Sequence, residues 1–173
     1  MNFDEYDGRY HAAYGELANV VKLLLEKAIG TTAGVPSPQS IQSRAKSVAS
    51  LKAKLERREL LASDAVQQEI RDLAGVRLIF YTNTDVNRFL YSRLIPENFQ
   101  VHWDATRVHH PTDENARLRY QAIHYTVSLN PQRLTLPEYA AFSGMRCEIQ
   151  IQTILNHAWA ESSHDILYKP AAG

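Results

Sequence analysis

Asp72-Leu73-Ala74-Gly75-Val76-Arg77-Leu78-Ile79-Phe80 is an apolar run with an acid near its start and one arginine inside it. Its length and its branched and aromatic residues predict a buried strand, placed over 71–82. Taken alone, Asp72 is a strand-end cap or an ion-pair partner of Arg71. Arg77 stacks on a base or pairs with a buried acid, and its odd offset puts it on the opposite strand face from Asp72. A second run, Cys147-Glu148-Ile149-Gln150-Ile151-Gln152-Thr153, repeats the design and predicts a strand within 145–153. Two carboxylates at the starts of neighbouring strands can grip one hard divalent cation. Mg2+ takes oxygen ligands at about 2.0–2.1 Å and usually shares them with substrate phosphates. Asp72 and Glu148 therefore point to nucleotide chemistry.

Around these strands the pattern alternates. Phe3, Tyr6, Tyr10, Tyr14, Leu17, Val21, Leu24 and Leu25 recur at helical spacing and predict a core-facing amphipathic helix over 3–29. Gly30 to Pro38 breaks it. The spacing of Ile41, Val48, Leu51 and Leu55 predicts a second helix over 39–58. Residues 60–68 read as a connector or short helix, and 84–93 as a helix with Asp85 as its cap. Residues 99–103 and 120–129 suit strands, 104–118 a long loop, and 154–168 a closing helix. Strands interleaved with helices give an α/β (α+β) fold, a sheet with helices packed on it. The division expected is an N-terminal helix and linker over 1–36 and the main domain over 37–173. The end after Tyr168-Lys169-Pro170 reads as that of a fragment of a longer chain.

Lys+Arg and Asp+Glu both number 19, so no overall charge draws the chain to nucleic acid or anionic lipid. Cys147 is the only cysteine, which excludes an intrachain disulfide and a Cys-rich zinc site. Its apolar strand makes it a buried, inert thiol. No basic-then-apolar leader opens the chain and no run is long enough to span a bilayer, so a cytoplasmic location and no membrane contact are expected.

Four stretches carry chemistry. In the first, Arg44, Lys46, Ser50 and Lys54 supply convergent donors of the kind a polyphosphate needs, with Ser50 and Lys54 four apart on one helix face. The second holds Asp72 and Arg77. In the third, Tyr120, Ala122 and His124 share a strand face. In the fourth, Glu148, Gln150 and Gln152 line a face opposite Ile149 and Ile151, and His157, Glu161 and His164 follow at helical spacing. A polar face this regular is costly to bury unless it meets substrate or metal. His109-His110 and the run around His157 lack the His-Glu-x-x-His arrangement of a zinc protease.

Together and in this order, the four stretches resemble the synthetase domain of the RelA/SpoT family, from about Ser43 to Lys169. The matching patterns are Arg44-x-Lys46 with Ser50 and Lys54; Asp72 to Arg77; Tyr120 with His124; and Glu148-Ile149-Gln150-Ile151-x-Thr153 followed by His157-x-Trp159-Ala160. The resemblance implies a nucleotidyltransferase-like mixed sheet flanked by helices. It also implies transfer of the β,γ-pyrophosphate of ATP to a ribose 3′-hydroxyl. By the same resemblance Asp72 and Glu148 are the catalytic acids and hold Mg2+. Arg44, Lys46, Ser50, Lys54 and Arg77 bind ATP, with Arg44 and Arg77 flanking adenine. Tyr120, His124, Gln150 and His157 line the acceptor side.

Three departures bear on the acceptor. The loop from Thr106 to Arg119 has neither the Tyr that stacks on guanine in the family nor its Asn-Pro-Lys, leaving His109 or His110 as the alternative stacker. Gln152 stands where the family often has Arg, and Ser163 where it often has Glu. The leading expectation is an alarmone synthetase that makes (p)ppGpp from ATP and GDP or GTP. The alternatives are a toxin-like enzyme that pyrophosphorylates the 3′ end of tRNA or an adenosine nucleotide, and a silent nucleotide-binding domain. The resemblance adds an antitoxin or fused regulatory domain, and a homo-oligomer, as expected partners.

Overall fold

The structure, a computed structural model, describes residues 1–108, 123–158 and 161. Tyr120, Ala122, the loop positions from 109 to 119, and His164 lie outside the described residues.

Helix α1 (Phe3–Glu5) opens with a reciprocal cap: the Asn2 side chain accepts from the Glu5 N–H at 2.8 Å, and the Glu5 carboxylate accepts from the Asn2 N–H at 3.3 Å. A π-helical turn (Tyr6–Tyr10) leads into α2 (His11–Thr31). The predicted stripe is the buried face: Tyr6, Tyr14, Leu17, Val21 and Leu25 are nearly inaccessible.

The largest correction falls on 39–58. Instead of one helix, the chain forms β1 (Ser40–Ala45) and then α3 (Val48–Arg57). β1 pairs antiparallel along its whole length with β2 (Ala74–Phe80), and Gln39 N–H→Ile79 O and Lys46 N–H→Leu73 O extend the ladder at both ends. The helix starts only where the Ser47 hydroxyl accepts from the Ser50 N–H. Arg44 is thus a strand residue and Lys46 a connection residue. Pairing satisfies the backbone groups of 40–45 that face β2, which outweighs the helical spacing of Ile41 and Val48.

After α3 come α4 (Val66–Glu69), β2, α5 (Asn83–Tyr91) and α6 (Leu94–Asn98). The cap of α5 is Thr82, which accepts from the Asp85 N–H at 3.1 Å, rather than Asp85. β3 (Phe99–Val101) is shorter than predicted because Trp103–Ala105 turns tightly. The expected loop carries β4 (Arg107–Val108), and then follow β5 (Ile123–Leu129), α7 (Pro131–Leu134) and β6 (Cys147–Thr153). Residues 154–158 are helical, as predicted.

The sheet runs β1-β2-β6-β5-β3, with β4 also on β5. Among the described residues only β2 and β6 pair in parallel, so the sheet is mixed. Register sorts its two faces. On one, Val76, Leu78, Ile149, Ile151, Ile123 and Val127 are buried and share one core with α2. Asn19 of α2 accepts from the Ser43 hydroxyl at 2.7 Å on that side. Each fully buried Leu or Ile contributes about 1.5–3 kcal/mol. On the other face a row of polar partners crosses five strands: Gln42, Arg77, Gln150, His124 and Arg107. Two residues along each strand lies a second row on the same face, Arg44, Gly75, Glu148 and Thr126. No described helix is long and apolar enough to cross a membrane.

Candidate active site

The strand β2 starts at Ala74, so Asp72 sits in the bend before it and escapes strand alternation. That freedom corrects the expected opposition of Asp72 and Arg77, because both line one cavity with Gln42, Arg44, Gly75 and Gln150. Asp72 does not pair with Arg71, which donates to the Ala105 carbonyl at 3.4 Å. Its partners are Lys46, whose Nζ is 2.9 Å from Oδ2, and Lys54, 3.3 Å from Oδ1. Burial alone would raise the Asp72 pKa. The hydrogen bonds and charges of the two lysines outweigh it and hold the carboxyl below its ordinary value.

Glu148 is held differently. Gln150, two residues along the same face of β6, donates from Nε2 to Glu148 Oε1 at 2.8 Å. The Gln150 Oε1 in turn accepts from Arg77 Nε at 3.3 Å. This orientation of the amide is the one its neighbours demand, since the carbonyl faces a cation and the NH2 faces an anion. His124 Nδ1 lies 3.8 Å from the same Glu148 oxygen. Parallel pairing of β2 with β6 sets Arg77 beside Gln150, and antiparallel pairing of β5 sets His124 on the other side.

Two cavities meet along this ridge. The smaller, about 140 Å3, is lined by Gln42, Ser43, Arg44, Asp72, Gly75, Val76, Arg77 and Gln150. Gly75 lines it without a side chain, and a Cβ there would stand 4.0 Å from both Arg44 Cγ and the Glu148 carbonyl oxygen, an ordinary contact. The larger, about 570 Å3, contains both Asp72 and Glu148, with Lys54, Arg58, Arg71, Arg107 and His124 among its walls. Asp72 and Gln150 belong to both cavities, so two ligands could meet across them.

Of the predicted residues, Arg44, Lys54, Asp72, Arg77, His124, Glu148 and Gln150 line these cavities, and Lys46 is bonded to Asp72. Ser50 is exposed on the first turn of α3, one turn before Lys54. His157 lines neither cavity; its Nε2 is 3.2 Å from Glu161. Sequence reasoning missed Gln42, Arg71 and Arg107. The register is what brings Gln42 and Arg107 into the polar row, and no local motif marks them.

The donor set fits Mg2+: two carboxylates open onto one cavity, and among the described residues no cage of three or more His, Cys, Asp or Glu forms around them. A bound Mg2+ would take the rest of its coordination shell from water and phosphate oxygens.

A family model described as the region found in RelA / SpoT proteins matches residues 43–172. The chain belongs to the RelA/SpoT family. Solved structures agree with this RelA/SpoT chain in fold. The small alarmone synthetase 1 from Bacillus subtilis superposes with a TM-score of 0.72 at 20% identity, covering 95% of this chain and 80% of that one. The small alarmone synthetase 2 from the same organism gives 0.65 at 22%, covering 91% and 78%. A GTP pyrophosphokinase family protein from Streptococcus pneumoniae gives 0.62 at 19%, covering 96% and 76%. No curated protein sequence matches the chain.

Proposed function

We propose that the chain is an ATP-dependent pyrophosphokinase that makes (p)ppGpp from GDP or GTP. The observation that carries this reading is the meeting of two cavities at Asp72 and Gln150, with both carboxylates in the larger one. The Bacillus subtilis small alarmone synthetase 1, similar in fold, has been solved bound to its product pppGpp and bound to AMPCPP, which supports this reading.

In this reading adenine lies between Arg44 and Arg77, whose guanidinium planes suit a flat base. The ATP phosphates take over the ammonium groups of Lys46 and Lys54, with the Ser50 hydroxyl as a further donor. Asp72 and Glu148 are the residues that would hold Mg2+, which when bound neutralises the charge on the phosphates being transferred. The acceptor occupies the larger cavity beside His124 and Gln150. Its 3′-oxygen attacks the β-phosphorus of ATP. The bond from that phosphorus to the α,β-bridging oxygen breaks, and the bridging oxygen leaves with AMP. The hydroxyl proton passes to Glu148 and then to solvent. Such a reaction asks the protein mainly for positioning and charge stabilisation.

The test is the by-product. Purified protein with ATP, Mg2+ and GTP should release AMP in step with pentaphosphate formation. Release of ADP, or no AMP, contradicts pyrophosphate transfer.

A second reading rests on one observation: Lys52, Arg57 and Arg58 are exposed on and beside α3, and Arg58 borders the acceptor cavity. This basic edge suits a tRNA 3′ end as acceptor. Changing Lys52 and Arg57, which lie outside that cavity, to Glu should then abolish tRNA modification while sparing GTP use.

A further inference from the structure

We propose that Tyr6, outside the matched family region, is a positioning residue that fixes Lys46 against Asp72. Tyr6 is fully buried. Burying a phenol is costly unless its hydroxyl is bonded, and this one donates to the Lys46 backbone carbonyl, forty positions away in sequence. The ring is held edge-on by His11, with centroids 5.7 Å apart, and packs beside Tyr14 at 6.1 Å. The π-helical turn starts at Tyr6 and is closed by the His11 N–H donating to the Tyr6 carbonyl.

Lys46 is consequently pinned three ways. Its N–H donates to Leu73 O at 2.8 Å, its carbonyl accepts from Tyr6, and its Nζ reaches Asp72 at 2.9 Å. A phenylalanine would fill the same core volume, so the hydroxyl serves the Lys46 carbonyl and not the packing. Two residues later α3 begins, and it carries Lys54, the second cation on Asp72. The N-terminal segment is thereby a working part of the site.

This role rests on the pyrophosphokinase reading only for its kinetic arm. Tyr6→Phe should lower kcat per titrated ATP site about tenfold, leave the acceptor KM unchanged and weaken equilibrium binding of a non-hydrolysable ATP analogue about fivefold. Melting should fall by about 2–4 °C, confirming a folded variant. Tyr14→Phe, from the same cluster, should leave kcat unchanged. Adding Tyr6→Phe to Lys46→Met should cost little more than Lys46→Met alone. Unchanged analogue affinity in Tyr6→Phe, or a full independent loss in the Lys46→Met background, overturns the proposal. If the parent protein binds the analogue but transfers nothing, the functional reading fails while the binding arm still decides the role of Tyr6.

Discussion

The Gln150 amide donates to Glu148 Oε1 at 2.8 Å from two residues along the same strand face. Because its other end takes the Arg77 guanidinium, Gln150 couples a residue of the smaller cavity to an acid of the larger. Gln150→Met should keep the fold but reduce kcat by about tenfold or more, because it removes hydrogen bonds to two charged groups. Gln150→Glu should do worse, since two adjacent carboxylates resist joint ionisation and move the acid limb of the rate profile to higher pH. An unchanged pH profile for Gln150→Glu would show that the two side chains do not communicate.

Asp72 tests charge and stability together. Asp72→Ala and Glu148→Ala should each lower transfer about 1,000-fold or more if both hold the metal. In metal-free buffer Asp72→Asn should also destabilise the protein by about 2 kcal/mol near neutral pH, because Lys46 and Lys54 lose their counter-charge. The folded pKa is depressed, so the carboxylate's contribution is present above the unfolded value of 3.8 and is lost as pH falls through the lower folded one. Urea titrations of wild type and Asp72→Asn should therefore converge in acid. A difference that persists at low pH would assign the loss to packing instead.

Gly75 sits between Arg44 and Glu148 in the second polar row. A Cβ meets only ordinary contacts, so Gly75→Ala should be nearly neutral for stability. Gly75→Val suits a strand yet puts methyl groups into a cavity of about 140 Å3. It should raise the KM for ATP about tenfold and leave that for the acceptor alone, as judged by varying each substrate in turn. An effect on the acceptor alone would exchange the two assignments.

Cys147 is fully buried, and burial first, then Glu148, pushes its thiol pKa up. The protonated thiol should not react with a disulfide reagent at pH 8 in the native state, and should react fully in denaturant. Rapid native labelling would show that β6 opens readily.

The apolar runs around Asp72 and Glu148 made β2, β6 and the acid pair legible, because buried central strands leave a signal independent of their neighbours. The buried stripe of α2 was legible for a similar reason. β1 was not. It lies at the end of the strand order, its outer face is polar through Gln42 and Arg44, and its inner face is small through Ser43 and Ala45. Neither period dominates such a segment, and only pairing with β2 decides it. Partner choice was equally hidden. Adjacency suggested Arg71 for Asp72, but the bend before β2 aims the carboxylate at lysines 26 and 18 positions upstream. The polar row joining Gln42 to Arg107 exists only in the register.

The most direct measurement offers GDP, GTP, ATP and deacylated tRNA in separate reactions with γ-labelled ATP and Mg2+. Label on GDP and GTP, lost in Asp72→Ala and Glu148→Ala, is the result this account predicts. Label on tRNA alone, or on no acceptor while ATP still binds, contradicts it.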